Sequence, residues 1–186
     1  YVTNGMNDYF VYSTINSYSS DEVIFPDAGK ASNVFFLNAG GKLNNQSGIS
    51  GLDAVVNGRA LVYFDLENDG DLDLAVNNYH DSAMVFKNSA EKLGNNWLKV
   101  RLEGAPAKGV NLDAIGAQIL VGFGESDYSW RQVSGSQGYM SVQPKLQNFG
   151  LGKAQQARVM IIWPNGKRES FGVLPANKSY TLKYGL

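Results

Sequence analysis

"ARVMIIWPNGKRESFGV", Ala157 to Val173, reads as a β-hairpin. An apolar, β-branched run leads to Trp163. "PNGK", Pro164 to Lys167, then supplies a proline and an Asn-Gly pair suited to a tight turn, and the chain returns through Arg168 to Val173. Outward from it, "SYTLKYGL" is a last strand, and "GAQILVGFG", "SWRQVS" and "YMSVQ" are strands preceding it. "NWLKVRLEG" alternates Trp97, Lys99 and Arg101 with Leu98, Val100 and Leu102, the period of a half-buried strand with one polar face. Strands so closely spaced, with no amphipathic helix between them, predict a β-sandwich or barrel-like domain over residues 96–186.

Further upstream, "NVFFLNAGGKL", Asn33 to Leu43, is a second hairpin turning at Gly40-Gly41. "GRALVYFD" is a strand, Arg59 to Phe64, that runs into an acidic loop; "LDLAVNN" leaves the loop and "SAMVFKN" closes the region. In residues 1–15, "YVTNG" and "DYFVYSTI" read as strands around an Asn4-Gly5 turn, and residues 16–32 read as a loop. The chain is therefore expected to be all-β in two regions, 1–95 and 96–186, with the boundary near "EKLGNN", Glu91 to Asn96. Its 21 Gly, 10 Tyr and 9 Phe fit short strands punctuated by turns.

A formal net charge of −1 offers no field for nucleic acid or an anionic membrane. The absence of cysteine excludes disulfides, thiolate chemistry and Cys-based zinc sites. No apolar run approaches the roughly 18 to 20 residues that a membrane-spanning helix needs, so no membrane insertion is expected. The chain starts at Tyr1 already in strand-like sequence, as expected of a fragment whose signal peptide, if any, lies upstream.

The acidic loop, "DLENDGDLDLAV", Asp65 to Val76, carries Asp65, Glu67, Asp69, Asp71 and Asp73 at every second position, with Gly70 among them. Calcium takes six to eight oxygen ligands at about 2.3 to 2.6 Å, and D-x-E-x-D-G-D-x-D can supply several from one short turn. Gly70 permits the positive φ that a tightly curled backbone needs. The expected metal ligands are Asp65, Glu67, Asp69 and Asp73 by side chain, with Asp71 contributing its carbonyl or a carboxylate at the rim. Position twelve is Val76 and both flanks look like strands, so an EF-hand is excluded. Magnesium, which keeps its waters, fits less well than calcium. The alternative is solvated turn chemistry, in which Asp and Gly serve only the turn; crowding five carboxylates without a counter-ion costs repulsion that a turn does not require.

"GRALVYFDLENDGDLDLAVNN" resembles the FG-GAP/VCBS repeat of integrin-type β-propellers, and "NVFFLNAGGKL" the hairpin preceding it. "NNWLKVRLEG", "AIGAQILV", "GSQGYMSVQ", "FGLG" and "VMIIWPNGK" resemble, in that order, the ASPIC/UnbV domain of the cartilage acidic protein-like family. The resemblance implies a partial propeller-type β-hairpin repeat followed by the β-domain, a bound Ca2+, and an extracellular, cell-surface or periplasmic location. Two departures stand out. Glu67 occupies a place usually held by Asp or Asn, and residues 1–95 have room for one complete repeat where a propeller needs at least four blades. Residues 1–95 are therefore expected to be either a piece cut from a longer propeller or a few hairpins that cover their exposed edges against the C-terminal domain or another chain, the last being self-association through strand edges.

Other candidates carry less. His80, the only histidine, stands beside Asp81 with no nucleophile motif and reads as a surface loop residue. "GFGESD" and "FGLGK" lack phosphate-loop spacing and read as hairpin turns. Trp97, Trp130, Trp163 and Tyr139 are expected in the core, with sugar stacking as the alternative. Arg131 and Lys167-Arg168 read as solvated charges. The expected function is a non-enzymatic calcium-binding adhesion or ligand-binding module whose partner is a protein or glycan. The alternatives are a carbohydrate- or metabolite-processing enzyme or biosynthetic accessory protein, and a structural spacer in a longer surface protein.

Overall fold

A computed structural model describes residues 32–79, 81–125 and 127–185. The strands expected over residues 1–15, the loop up to residue 31 and His80 lie outside the described residues. The chain forms two compact units that are not contiguous in sequence. The first contains, among described residues, 32–62, 75–79, 81–86 and 138–141; the second contains 63–74, 87–125, 127–137 and 142–185.

In the first unit, β1 (Phe36–Ala39) and β2 (Lys42–Asn45) form the hairpin expected around Gly40-Gly41, with Ala39 paired to Lys42. Both glycines have φ in the left-handed region, as a two-residue primed turn requires. A single helical turn, α1 (Ser47–Ser50), follows. Strands β3 (Gly58–Phe64), β4 (Asp73–Asn78) and β5 (Met84–Phe86) form a sheet in that order. The division between the units falls within β3, after Val62, and within β4, after Leu74. The acidic loop and the strand residues on either side of it therefore belong to the second unit.

The second unit is a sandwich built on two sheets. One has the order β11 (Arg168–Pro175), β10 (Gln156–Ile162), β7 (Gln118–Gly122), β8 (Tyr128–Gln132), antiparallel throughout. The other has the order β12 (Lys178–Lys183), β6 (Asn96–Glu103), β9 (Gln147–Gly152). Alternate residues turn inward from both, as period-2 patterning demands: Leu98, Val100 and Leu102 from β6 and Phe149 and Leu151 from β9 meet Ile119 and Val121 from β7 and Ala157, Val159 and Ile161 from β10 in one buried cluster. Each large side chain so buried contributes about 1.5–3 kcal/mol. Among the described residues no sheet closes into a barrel, so of the two expected forms the sandwich is the one observed. No helix among them is long and apolar enough to cross a membrane.

The hairpin expected over Ala157 to Val173 is β10–β11, closed by Trp163 N–H to Lys167 O and Gly166 N–H to Trp163 O, both 2.8 Å. Its register skips Phe171 opposite the Val159–Met160 step, a bulge that Gly172 accommodates at φ 73°. Trp163 is buried at the end of β10, its Nε1 donating to Glu169 Oε2 at 2.7 Å and its ring meeting Tyr184 edge-on. Burial would raise the Glu169 pKa, but hydrogen bonds from Lys167 Nζ, Gly185 N–H and Trp163 Nε1 outweigh it and hold the carboxyl below its usual 4.5. A depressed folded-state value contributes stability above the unfolded pKa that is lost as pH falls through the folded one. Thermal melts of wild type and Glu169→Gln should therefore differ near neutrality and converge in acid. A gap independent of pH would refute the assignment.

Several expectations are corrected. "YMSVQ" is not a strand: Gly138 and Met140 both adopt positive φ, and Ser141 Oγ donates back to Tyr139 O, a turn that breaks any ladder. "FGLGK" is not a hairpin turn but the end of β9, which stops where Gly152 turns left-handed. Trp130 and Tyr139 are exposed rather than core, because β8 is an edge strand and Tyr139 lies on that turn. Strand β12 lies parallel to β6, a pairing secured by Asn177 N–H to Trp97 O at 2.6 Å and Trp97 N–H to Asn177 Oδ1 at 3.0 Å.

Candidate metal centre

The loop between β3 and β4 is shaped by its own carboxylates. Asp65 accepts from the Asp69 N–H (3.1 Å) and Gly70 N–H (2.7 Å), while Asp69 Oδ1 accepts from the Asp71 N–H at 3.2 Å. Such side-chain-to-backbone bonds substitute for the ladder that the chain gives up in leaving β3. Left-handed φ at Asn68 and Gly70 lets the backbone fold back in so few residues. Asp73, fully buried, ties the start of the loop to its end and the loop to the segment after β5: Oδ2 accepts from Leu66 N–H and Oδ1 from Asn88 N–H, each at 2.8 Å.

Lys99 departs from the reading of β6 as having a solvated polar face. Its side chain is 2% exposed and its Nζ lies 2.5 Å from Asp65 Oδ2, itself on a 6% exposed side chain. The same ammonium donates to Asn68 Oδ1 at 2.7 Å and sits 4.6 Å from the centre of the Trp97 ring. Burial pushes the Asp65 pKa upward, but the Lys99 hydrogen bond and charge, with the Gly70 and Asp69 amides, hold it below its usual 3.8. Trp97 lies flat enough against the loop that a Cβ on Gly70 would fall inside its indole ring. Asn148 Nδ2 completes the frame by donating to Gly70 O at 2.8 Å.

The five predicted ligands are thus placed differently from one another. Asp65 faces Lys99, and Glu67 pairs at the surface with Lys87 at 2.5 Å. Asp73 is taken up by two amides. Asp69 and Asp71 are brought together with a residue that the sequence reading passed over, Glu91, so that one carboxylate oxygen from each lies within 4.8 Å of the others. Glu91 is the second residue of the short 3₁₀ segment Ala90–Leu93, and its N–H donates to Asp71 Oδ2 at 3.1 Å. Burial, the charge of Asp69 and the neighbouring Glu91 carboxyl all push the Asp71 pKa up, against the Glu91 and Ala90 amides. The signal for Glu91 was an acid 18 residues downstream of Asp73 in a segment read only as a boundary, with nothing local to link it to the loop.

Beside the loop a cavity of about 150 Å³ is lined by Tyr63, Phe64, Leu72, Pro144 and Leu146, with Asp65 as its one carboxylate. That carboxylate is already ion-paired with Lys99, so the cavity lacks the facing pair of acids that glycoside hydrolysis uses.

A sandwich of this topology with an acidic loop folded onto one sheet accompanies a family match: residues 107–186, which take in β7 to β12, match the model described as ASPIC and UnbV. Over 125 residues, 66% of this chain, the sequence is 30% identical to cartilage acidic protein 1 of Homo sapiens. Over 106 residues, 55% of the chain, it is 32% identical to the protein of that name from Xenopus tropicalis. The chain spans less than a fifth of these relatives, the aligned parts being 18% and 16% of their lengths.

Proposed function

We propose that this chain is a non-enzymatic, calcium-stabilised binding module of an exported protein, in which an ion at the acidic loop rigidifies the β3–β4 connection and the sandwich presents a surface to a protein or glycan partner. The carrying observation is the charge balance of the loop. Five carboxylates and Glu91 surround one turn, while the ion pairs among described residues supply it with two ammonium groups, Lys99 and Lys87. A hard divalent cation bound through oxygen offsets the remaining repulsion without requiring a further basic side chain. The exported location and the adhesion-type role rest on the ASPIC and UnbV match and on the likeness to cartilage acidic protein 1. The calcium-repeat reading of the loop rests on its D-x-E-x-D-G-D-x-D spacing.

Ligand binding to the folded state alone raises stability by mass action, about 2.7 kcal/mol at a hundredfold excess over Kd. Melting followed by circular dichroism should shift upward on titrating calcium into chelator-treated protein and return on adding EGTA. A transition that stays in place throughout would defeat the proposal.

A further inference from the structure

We propose that the cation is held by Asp69, Asp71 and Glu91, and that the Lys99 ammonium permanently takes the position at Asp65 that a metal would otherwise share. The inference rests on the calcium reading and specifies its ligands. Three acids near one another do not make a site. The second observation is that Asp71 is 9% exposed and its Oδ1 is sealed from solvent without a hydrogen-bond partner, and Glu91 Oε2 is sealed and unpartnered in the same way. A buried carboxylate oxygen with no donor is costly, and two of them in one acidic cluster more so. Loop geometry accounts for the other oxygens: Asp69 Oδ1 and Asp71 Oδ2 each accept a backbone N–H and keep lone pairs to spare. Among the described residues no lysine or arginine is ion-paired with any of the three.

Asp65, Glu67 and Asp73 stand outside this set for separate reasons. A metal at Asp65 would have to displace or face an ammonium 2.5 Å away that is itself buried and bonded to Asn68. Glu67 is drawn to Lys87. Asp73, whose oxygens accept from the Leu66 and Asn88 amides so that neither is left unpartnered, is not among the acids whose oxygens come within 4.8 Å of one another. What remains is an all-oxygen, trianionic site open on the side of the half-buried Asp69 and Glu91, where waters complete the six to eight ligands of calcium. Thiol or imidazole ligands are not part of it, which disfavours zinc and copper.

The test is calorimetric titration of calcium chloride into the full 186-residue chain, alongside terbium luminescence excited through Trp97, whose indole lies on Gly70 between two of the ligands. Glu91→Gln and Asp71→Asn should each weaken binding by about tenfold or more, and Glu67→Gln should leave it within about twofold. Without calcium, Asp71→Asn should melt at or above wild type because a buried, repelled charge is gone; with saturating calcium the order should reverse. Retention of binding in Glu91→Gln with its loss in Glu67→Gln would overturn this site while leaving calcium binding by the loop intact. A wild-type chain that gives neither heat nor terbium emission would overturn the functional reading itself. Should Glu91→Gln fail to fold, Glu91→Asp decides: weakened binding supports the site, unchanged binding overturns it.

Discussion

Replacing Lys99 with methionine is expected to destabilise the chain by about 3–5 kcal/mol, the cost of leaving one partner of a buried ion pair uncompensated. Methionine matches the lysine stem in length and apolar character, so packing against Trp97 is largely retained and the loss reports the ammonium. Asp65 would keep the Asp69 and Gly70 amides but lose the charge that holds it ionised while buried. The double variant Lys99→Met, Asp65→Asn should recover most of the loss, because removing both charges also removes both desolvation costs. Urea unfolding of the four proteins in the cycle measures this directly. A single-variant loss below about 1 kcal/mol, the range of exposed pairs, would show that the pair does not organise the loop.

Gly70→Ala should cost about 2–5 kcal/mol, combining the penalty for a non-glycine residue at left-handed φ with overpacking. The φ of 104° lies where L side chains rarely go, and the added methyl would overlap the Trp97 indole, so the ring must leave the loop. Since Trp97 also stacks over the Lys99 ammonium, the effects of Gly70→Ala and Lys99→Met should be less than additive. Near-ultraviolet circular dichroism should report a changed tryptophan environment in the folded Gly70→Ala protein. An unchanged spectrum with unchanged stability would mean that the contact is not maintained in solution.

The course of the strands was open to reading because its causes are local. Asn165-Gly166 and Gly40-Gly41 encode turns through their own φ preferences, and the alternation of β6 and β10 encodes burial one residue at a time. Where the reading failed, a turn took residues of strand-like composition in one case and sheet order decided exposure in the other. "YMSVQ" has strand-like residues, yet a turn at Gly138 and Met140 takes them. Trp130 has the composition of core but falls on an edge strand, a property of sheet order rather than of the residue.

For the site, the chain alone specified an acidic, glycine-bearing turn between two strands and the crowding that calls for a counter-charge. Which charges answer that crowding depended on tertiary structure. Lys99 sits on what reads as a polar strand face, and no local pattern distinguishes a lysine pointing at water from one pointing at a carboxylate 34 residues earlier in sequence. Glu91 joins Asp71 across 20 residues through a backbone amide, and β12 joins β6 in parallel across about 80. Periodicity and turn chemistry act over a few bonds and so are written in neighbouring residues; ion pairing and sheet order act through space, and only the folded chain brings their partners together.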